Sequence, residues 1–264
     1  MISRMPLAVC VRFLGLLLPA AAAGQAFFAE AGETLLVGAN ADFDPFEFIR
    51  NNEIVGFDID LMTAVGQAAG FEPKFLNQPF DALVESLAAG QVQAIISGIA
   101  ISKDRRRHID FSDPYFHAAQ VIVAGGDAVG LSRIEDIRGR RVAVRLGTTG
   151  AAMAMREMGG VLRQLKQFRG YGDAFDELAL GRVDCVVVDL PVAVAYLRRG
   201  AGLKISSPPI GEEFFGIGVA KGDKTLLDRI NHGLGAIRKS GEYDRLLEKW
   251  FGEQAGDAAA STGP

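Results

Sequence analysis

Of the 264 residues 49% are hydrophobic and 23% charged, with 28 Lys and Arg against 32 Asp and Glu, a formal net charge of −4. That balance excludes a disordered polyelectrolyte and is wrong for a nucleic-acid surface, which needs an excess of base. Two cysteines are too few for a disulfide-built scaffold.

Residues 1–26 place Arg4 and Arg12 around the apolar stretch LAVCVRFLGLLLPAAAAGQA, which ends in small residues. This predicts a secretory signal peptide, cleaved after Ala23 or Ala26. Arg12 and Pro19 interrupt the stretch, so it lacks the clean apolar length of a membrane anchor. Loss of residues 1–26 leaves 238 residues with 26 basic and 32 acidic side chains, enough for two modest domains. Cys185, the cysteine that survives cleavage, lies in VDCVVVD and reads as a buried strand residue.

From Thr34 short apolar strands alternate with amphipathic helices: LLVGA, FDIDLMTAVGQAAG, KFL, FDALVESLAAG, VQAIIS. Alternation of this kind predicts α/β architecture with largely parallel sheets. Ligands then bind beyond the C-terminal ends of the strands, where Asn40 and Phe43 follow the first strand and Gly98 the third. Asp58 and Asp60 fall in the first turn of the first helix, where acids stabilise the N-terminus, and are read as structural. Ile59, Met62 and Val65 keep helical spacing and are expected on the sheet.

Ser97 and Gly98 end a strand and offer backbone for close approach by a small molecule. Ser102 is expected to cap a helix carrying Arg105 in its first turn. A guanidinium there suits a carboxylate, because its planar fork donates two parallel hydrogen bonds and stays charged. Three consecutive arginines otherwise read as a solvated face. Successive helical residues point about 100° apart, so at most one of Arg105, Arg106 and Arg107 can aim squarely inward, and Arg105 is nearest the cap.

FHAAQVIVAG is expected to leave the first domain, and a second series follows: RVAVRLGTTGAAMAM, QFRGYGDAFDELALG, DCVVVDLPVAVAYL. EFFGIGVA then returns the chain, ahead of the helices LLDRINHGLGAIRKS and EYDRLLEKWFG. The expected division is residues 34–116 with 216–252 as lobe 1 and residues 120–210 as lobe 2, with hinge strands at Tyr115–Ala119 and Gly211–Phe215. The polar tail 253–264 is expected to be disordered. In the second series GTTG, Gly147 to Gly150, opens a helix and forms an anion-friendly concavity, but no GK[ST] follows, so it is not a phosphate loop. Asp189 ends CVVVD before Leu190-Pro191 and could serve as a helix cap.

Several of these strings together resemble the family 3 periplasmic solute-binding proteins. Gly98 and Arg105 stand ahead of Phe111, Ser112, Pro114 and Tyr115 as in that family's anchor segment; GFDIDL at Gly56 to Leu61, PFEF upstream and GEYDRLLEKWFG at the end also match. The resemblance covers Thr34 to Gly252. It implies a type II two-lobed periplasmic binding protein fold, each lobe a mostly parallel sheet flanked by helices, joined by two hinge strands. It further implies that Arg105 holds the ligand carboxylate with Thr148 and Thr149, that Asp189 accepts its α-ammonium, that Phe43 and Phe80 flank its side chain, and that Arg145 reaches that side chain. Ala100 departs from the pattern, standing where the family usually has a hydroxyl.

The implied function is capture of a zwitterionic amino acid in the periplasm, by hinge closure of a monomer, for delivery to ABC importer permease subunits. Receptors for cationic side chains often carry an acid where Asn40 stands, and Arg145 would repel a second cation, so a polar and not strongly basic ligand is expected. No catalytic role, metal or cofactor is expected: there is no HExxH or GxSxG, and His108, His117 and His232 are dispersed. The alternative is a secreted cyclohexadienyl dehydratase acting on prephenate or arogenate, which resembles the same receptors.

Overall fold

A computed structural model describes residues 33–252 apart from positions 127, 129, 161, 199 and 201; the expected signal peptide and tail lie outside the described residues. The chain runs β1 (Glu33–Ala39), β2 (Asp42–Phe43), β3 (Glu47–Arg50), β4 (Glu53–Val55), α1 (Phe57–Ala69), β5 (Phe71–Asn77), α2 (Leu83–Ala88), β6 (Ala94–Ile95) and β7 (Ile109–Phe111). It continues through β8 (Phe116–Gly125), β9 (Val142–Arg145), α3 (Thr149–Glu157), β10 (Leu165–Phe168), α4 (Tyr171–Ala179), β11 (Cys185–Asp189), α5 (Leu190–Leu197) and β12 (Leu203–Ile205). Last come β13 (Gly211–Phe215), β14 (Gly218–Ala220), α6 (Lys224–Lys239) and α7 (Glu242–Phe251).

Two main sheets result, ordered β5-β1-β6-β14-β7 and β10-β9-β11-β8-β12, with β13 paired to β8; β2, β3 and β4 form a small third sheet. In each main sheet the strands of the βα alternation are parallel; β8, β13 and β14, at the crossings between the sheets, pair antiparallel, and β12 is antiparallel to β8 because β8 itself runs against the other strands of that sheet. β11 shows why sequence reads so directly here. Cys185 to Val188 are fully buried between β9 and β8, and β-branched valines suit a pleated surface covered on both faces. Burial pushes the Cys185 thiol up to about 12, which leaves it inert.

β8 and β13 pair with each other from Gln120 opposite Gly211 to Phe116 opposite Phe215. Phe116 and Phe215 stack at 5.9 Å, and Phe46 meets both edge-on at 4.9 and 5.4 Å. Burying each such ring contributes roughly 2–3 kcal/mol, so the crossover is moored in the core of the first sheet. EFFGIGVA is two strands rather than one, broken at Gly216 and Ile217 where the chain passes from one sheet to the other.

One local expectation is corrected. The stretch after Ser102 is a single 3-10 turn over Arg105–Arg107, not a helix, because β7 begins at Ile109 and leaves no room for a second turn. Ser102 Oγ still accepts from the Arg105 amide at 3.2 Å. Asp58 and Asp60 stand in the first turn of α1 as expected, and their side chains make no capping hydrogen bond. Asp58 Oδ2 accepts from the Gly98 amide and the Tyr115 hydroxyl, each at 2.7 Å, while Asp60 takes Lys249 and the Trp250 indole. The helix starts instead at Gly56, whose φ of 143° and close approach to the Phe46 carbonyl suit glycine alone. Ile59, Met62 and Val65 are buried as expected.

Candidate ligand-binding site

The ends of β6, β9 and β11 converge with β13 on one small cavity between the two main sheets. Phe43, Phe80, Gly98, Ala100, Arg105, Arg145, Thr148, Thr149 and Asp189 line it together with Glu213. Asn40 stands just behind, in a polar crevice beside Gln78 and Arg169, and touches the site through its side-chain oxygen, which accepts from Arg145 Nη2.

On the first sheet the anchor loop is fixed by groups outside the cavity. Gly98 has φ 52°, and a Cβ there would drive into the Phe43 ring, so glycine is required twice over. Behind the loop Ser97 Oγ donates to Glu47 Oε1 at 2.5 Å and accepts from the Asn40 amide at 3.1 Å. Glu47 and Asp58 are wholly buried; desolvation raises Glu47 well above the carboxylate range and lifts Asp58 to about 6. Glu47, Ser97, Asp58, Gly98 and Tyr115 thus make one buried polar hub that joins the PFEF, GFDIDL, anchor and FSDPY strings.

Arg105 is half-buried. Its Nη1 donates to the Ala100 carbonyl at 2.8 Å and its Nη2 to the Gly147 carbonyl at 3.0 Å, reaching across to the second sheet. Its guanidinium carbon lies 5.5 Å from the Phe80 ring centre. Desolvation by burial lowers its pKa, but a guanidinium remains charged. Arg106 and Arg107 are exposed, the latter paired with Asp104.

From the second sheet comes Arg145, fully buried at the end of β9. Its guanidinium carbon sits 4.3 Å from the Phe80 ring centre, 5.2 Å from Phe43 and 5.5 Å from Tyr171, while Nη1 has no hydrogen-bond partner. Thr148 caps α3: its hydroxyl accepts from the Ala151 amide at 3.1 Å and donates to the Arg145 carbonyl at 2.8 Å, so it is committed to the loop. Thr149 opens α3 with its side chain on the cavity wall. Asp189 precedes α5 but makes no capping hydrogen bond. It is held by Gln120 Nε2 at 2.7 Å and the Tyr171 hydroxyl at 3.3 Å, and burial, then Glu213, raises its pKa well above the ordinary value.

Sequence reasoning missed Glu47, Gln120, Tyr171 and Glu213. Gln120 had a signal, a polar residue inside the apolar run FHAAQVIVAG. Glu213 had none, since in EEFF each Glu shares a strand face with a Phe and only the structure shows that Phe215 is the buried one.

Two mixed sheets, two antiparallel crossing strands and a charged cavity between them define a two-lobed α/β binding protein, the type II periplasmic binding protein fold. The model of the bacterial extracellular solute-binding proteins, family 3, matches residues 35–253, and the chain belongs to that family. It is 35% identical over 237 residues to the "Probable histidine-binding protein" of Neisseria gonorrhoeae, covering 88% of each chain. It is 33% identical over 242 residues to "ABC transporter arginine-binding protein 1" of Escherichia coli (strain K12), covering 89% of this chain and 98% of that one. Among solved structures, "An ancestral arginine-binding protein bound to glutamine" superposes with a TM-score of 0.78 at 41% identity, over 83% of this chain and 98% of that one.

Proposed function

We propose that this chain is a periplasmic receptor that captures an α-amino acid by hinge closure and hands it to the membrane subunits of an ABC importer. Residues 34–116 with 216–252 and residues 120–210 are the two bodies that move, and the protein acts as a monomer. What carries the reading is the split of charge across the cavity: Arg105 approaches from the first sheet and Asp189 from the second. A zwitterion satisfies both only when the two close on it, so binding energy is coupled to closure.

The ligand's side chain is polar and carries no full positive charge. The aromatic slot of Phe80, Phe43 and Tyr171, the natural seat for a ligand cation, is filled by the protein's own Arg145, whose buried Nη1 calls for an acceptor. A side-chain amide supplies one, and a 41% identical relative has been solved with glutamine. A cationic ligand is the second reading, favoured by Glu213 on the cavity wall and by the arginine and histidine named for the relatives. Those relatives are binding proteins by name, which favours a receptor over the dehydratase. The test is a thermal-shift screen of the purified protein with glutamine, glutamate, arginine, histidine and prephenate. A ligand at about a thousand times its Kd adds roughly 4 kcal/mol of stability. Stabilisation by arginine alone would select the cationic reading, and turnover of prephenate would end the receptor one.

A further inference from the structure

Gln120, in the middle of the crossover strand β8, presents one amide nitrogen to two carboxylates. Nε2 donates to Asp189 Oδ1 at 2.7 Å and to Glu213 Oε2 at 3.2 Å. Since both oxygens reach one nitrogen, they are held within about 6 Å of each other, the range at which two carboxylates impede each other's ionisation. We propose that Glu213 and Asp189 together form the seat for the ligand's α-ammonium, and that in the free receptor Asp189 holds a proton which the arriving ammonium expels.

The groups that face the pair are few. Tyr171 on α4 donates its hydroxyl to Asp189 Oδ2 at 3.3 Å and is kept protonated by burial. Arg145 on β9 and Arg105 on the 3-10 turn are the nearby cations; the first is bonded to Asn40, the second to the Ala100 and Gly147 carbonyls. Neither arginine is hydrogen-bonded to Asp189 or Glu213, so their pull on the pair acts through space. His117 on β8 lies 3.9 Å from Glu212, the neighbour that the strand alternation turns to the opposite face. Burial is the largest force raising the Asp189 pKa, the Glu213 charge the second, and Arg145 opposes both.

The proton balance is closed. The free pair with one proton carries a charge of minus one. An ammonium entering between two bare carboxylates restores the same net charge, and the proton passes to solvent. No other bond changes. The sign follows: affinity is at its full value above the raised pKa of Asp189 in the free receptor and is lost as pH falls through it, by up to about tenfold per pH unit. The inference rests on the amino-acid reading above and adds to it a second carboxylate and a proton.

The experiment is titration calorimetry with L-glutamine and, separately, L-arginine, at pH 5.5 and 8.0, in phosphate and in an amine buffer of large ionisation enthalpy. The slope of observed heat against buffer ionisation enthalpy counts the protons released. For whichever amino acid binds, wild-type protein should release a substantial fraction of one proton at pH 5.5 and less at pH 8.0. Glu213→Gln should bind about tenfold or more weakly at pH 8.0 and release markedly less at pH 5.5. A purely structural role for Glu213 would not move the proton count. Glu213→Asp, which keeps the charge, should retain the release and serves as the check should the glutamine variant melt early. Equal heats in both buffers at pH 5.5, or a Glu213→Gln variant within twofold of wild type, overturns the shared seat while leaving the receptor intact. Loss of arginine binding with glutamine binding untouched would also overturn it, assigning Glu213 to a side chain. Failure of every amino acid to bind removes the receptor reading itself.

Discussion

Replacing Arg145 tests the ligand reading most directly, because the residue is buried, central and bears on charge alone. Arg145→Met keeps an unbranched apolar stem against Phe80 and Phe43 but removes the cation from the aromatic slot. Two cations sharing that slot would stand about 5 Å apart, and at an effective dielectric of about 20 their repulsion is roughly 3 kcal/mol. A ligand guanidinium also gains about 1–2 kcal/mol of ring attraction once the faces of Phe80, Phe43 and Tyr171 are free. Arginine should therefore bind the variant at least about 200-fold more tightly than it binds wild type. Glutamine should bind about tenfold more weakly, having lost the Nη1 donor. Calorimetric titration of both ligands against both proteins reads the two changes. Arginine affinity that does not rise, or wild-type protein that already binds arginine tightly, would refute the idea that Arg145 holds the slot against cations.

Three further outcomes are expected. Arg105→Lys should weaken binding by about 2–4 kcal/mol, roughly 30- to 1000-fold, because an ammonium cannot reproduce the fork, while lysine at exposed 106 or 107 should change affinity less than twofold by the same titration. Asp189→Asn should cut affinity by at least about 30-fold yet leave the melting temperature of the ligand-free protein about level, since the side chain caps nothing and burial already disfavours its ionised form. Lastly, stability should rise on acidification from about pH 7.5 to pH 5. Asp58 binds its proton more tightly folded, at about 6 against 3.8, so folding is disfavoured by about 3 kcal/mol above pH 6 and that cost is relieved as pH falls. Glu47 acts in the same direction. Asp58→Asn should flatten the melting profile, and a wild-type protein that only loses stability below pH 7 would contradict the buried pair.

The strands and helices were legible because burial writes itself into spacing, as CVVVD and FDIDLMTAVGQAAG show. The positions of Arg105, Asp189 and the GTTG loop came from family-like strings, and the structure gathers them in one cavity. What sequence left open was direction. An acid in a first helical turn can face the amides or turn away, and Asp58 turns away because the Gly98 amide and Tyr115 hydroxyl, distant in the chain, need an acceptor. The helix at Ser102 failed on length, since three residues before a strand hold no period to read. Glu213 lay in EEFF, where each strand face carries one Glu and one Phe, so neither its inward direction nor its approach to Gln120 can be read before the pairing of β8 with β13 is known.

The buried hub has a consequence for changing what the protein carries. Glu47, Ser97, Asp58 and Tyr115 set the anchor loop from behind, and none of them lines the cavity. The backbone that presents Gly98, Ala100 and Arg105 is therefore held by atoms a ligand does not touch, the arrangement that designers aim for when they support a site from its outer shell. Cargo can be rewritten at Asn40, Ala100, Arg145 and Glu213 while the frame stays as it is. A library confined to those four positions should keep the melting behaviour of the parent through most of its members, whereas one that includes Glu47 or Asp58 should lose folded protein before it finds a new ligand.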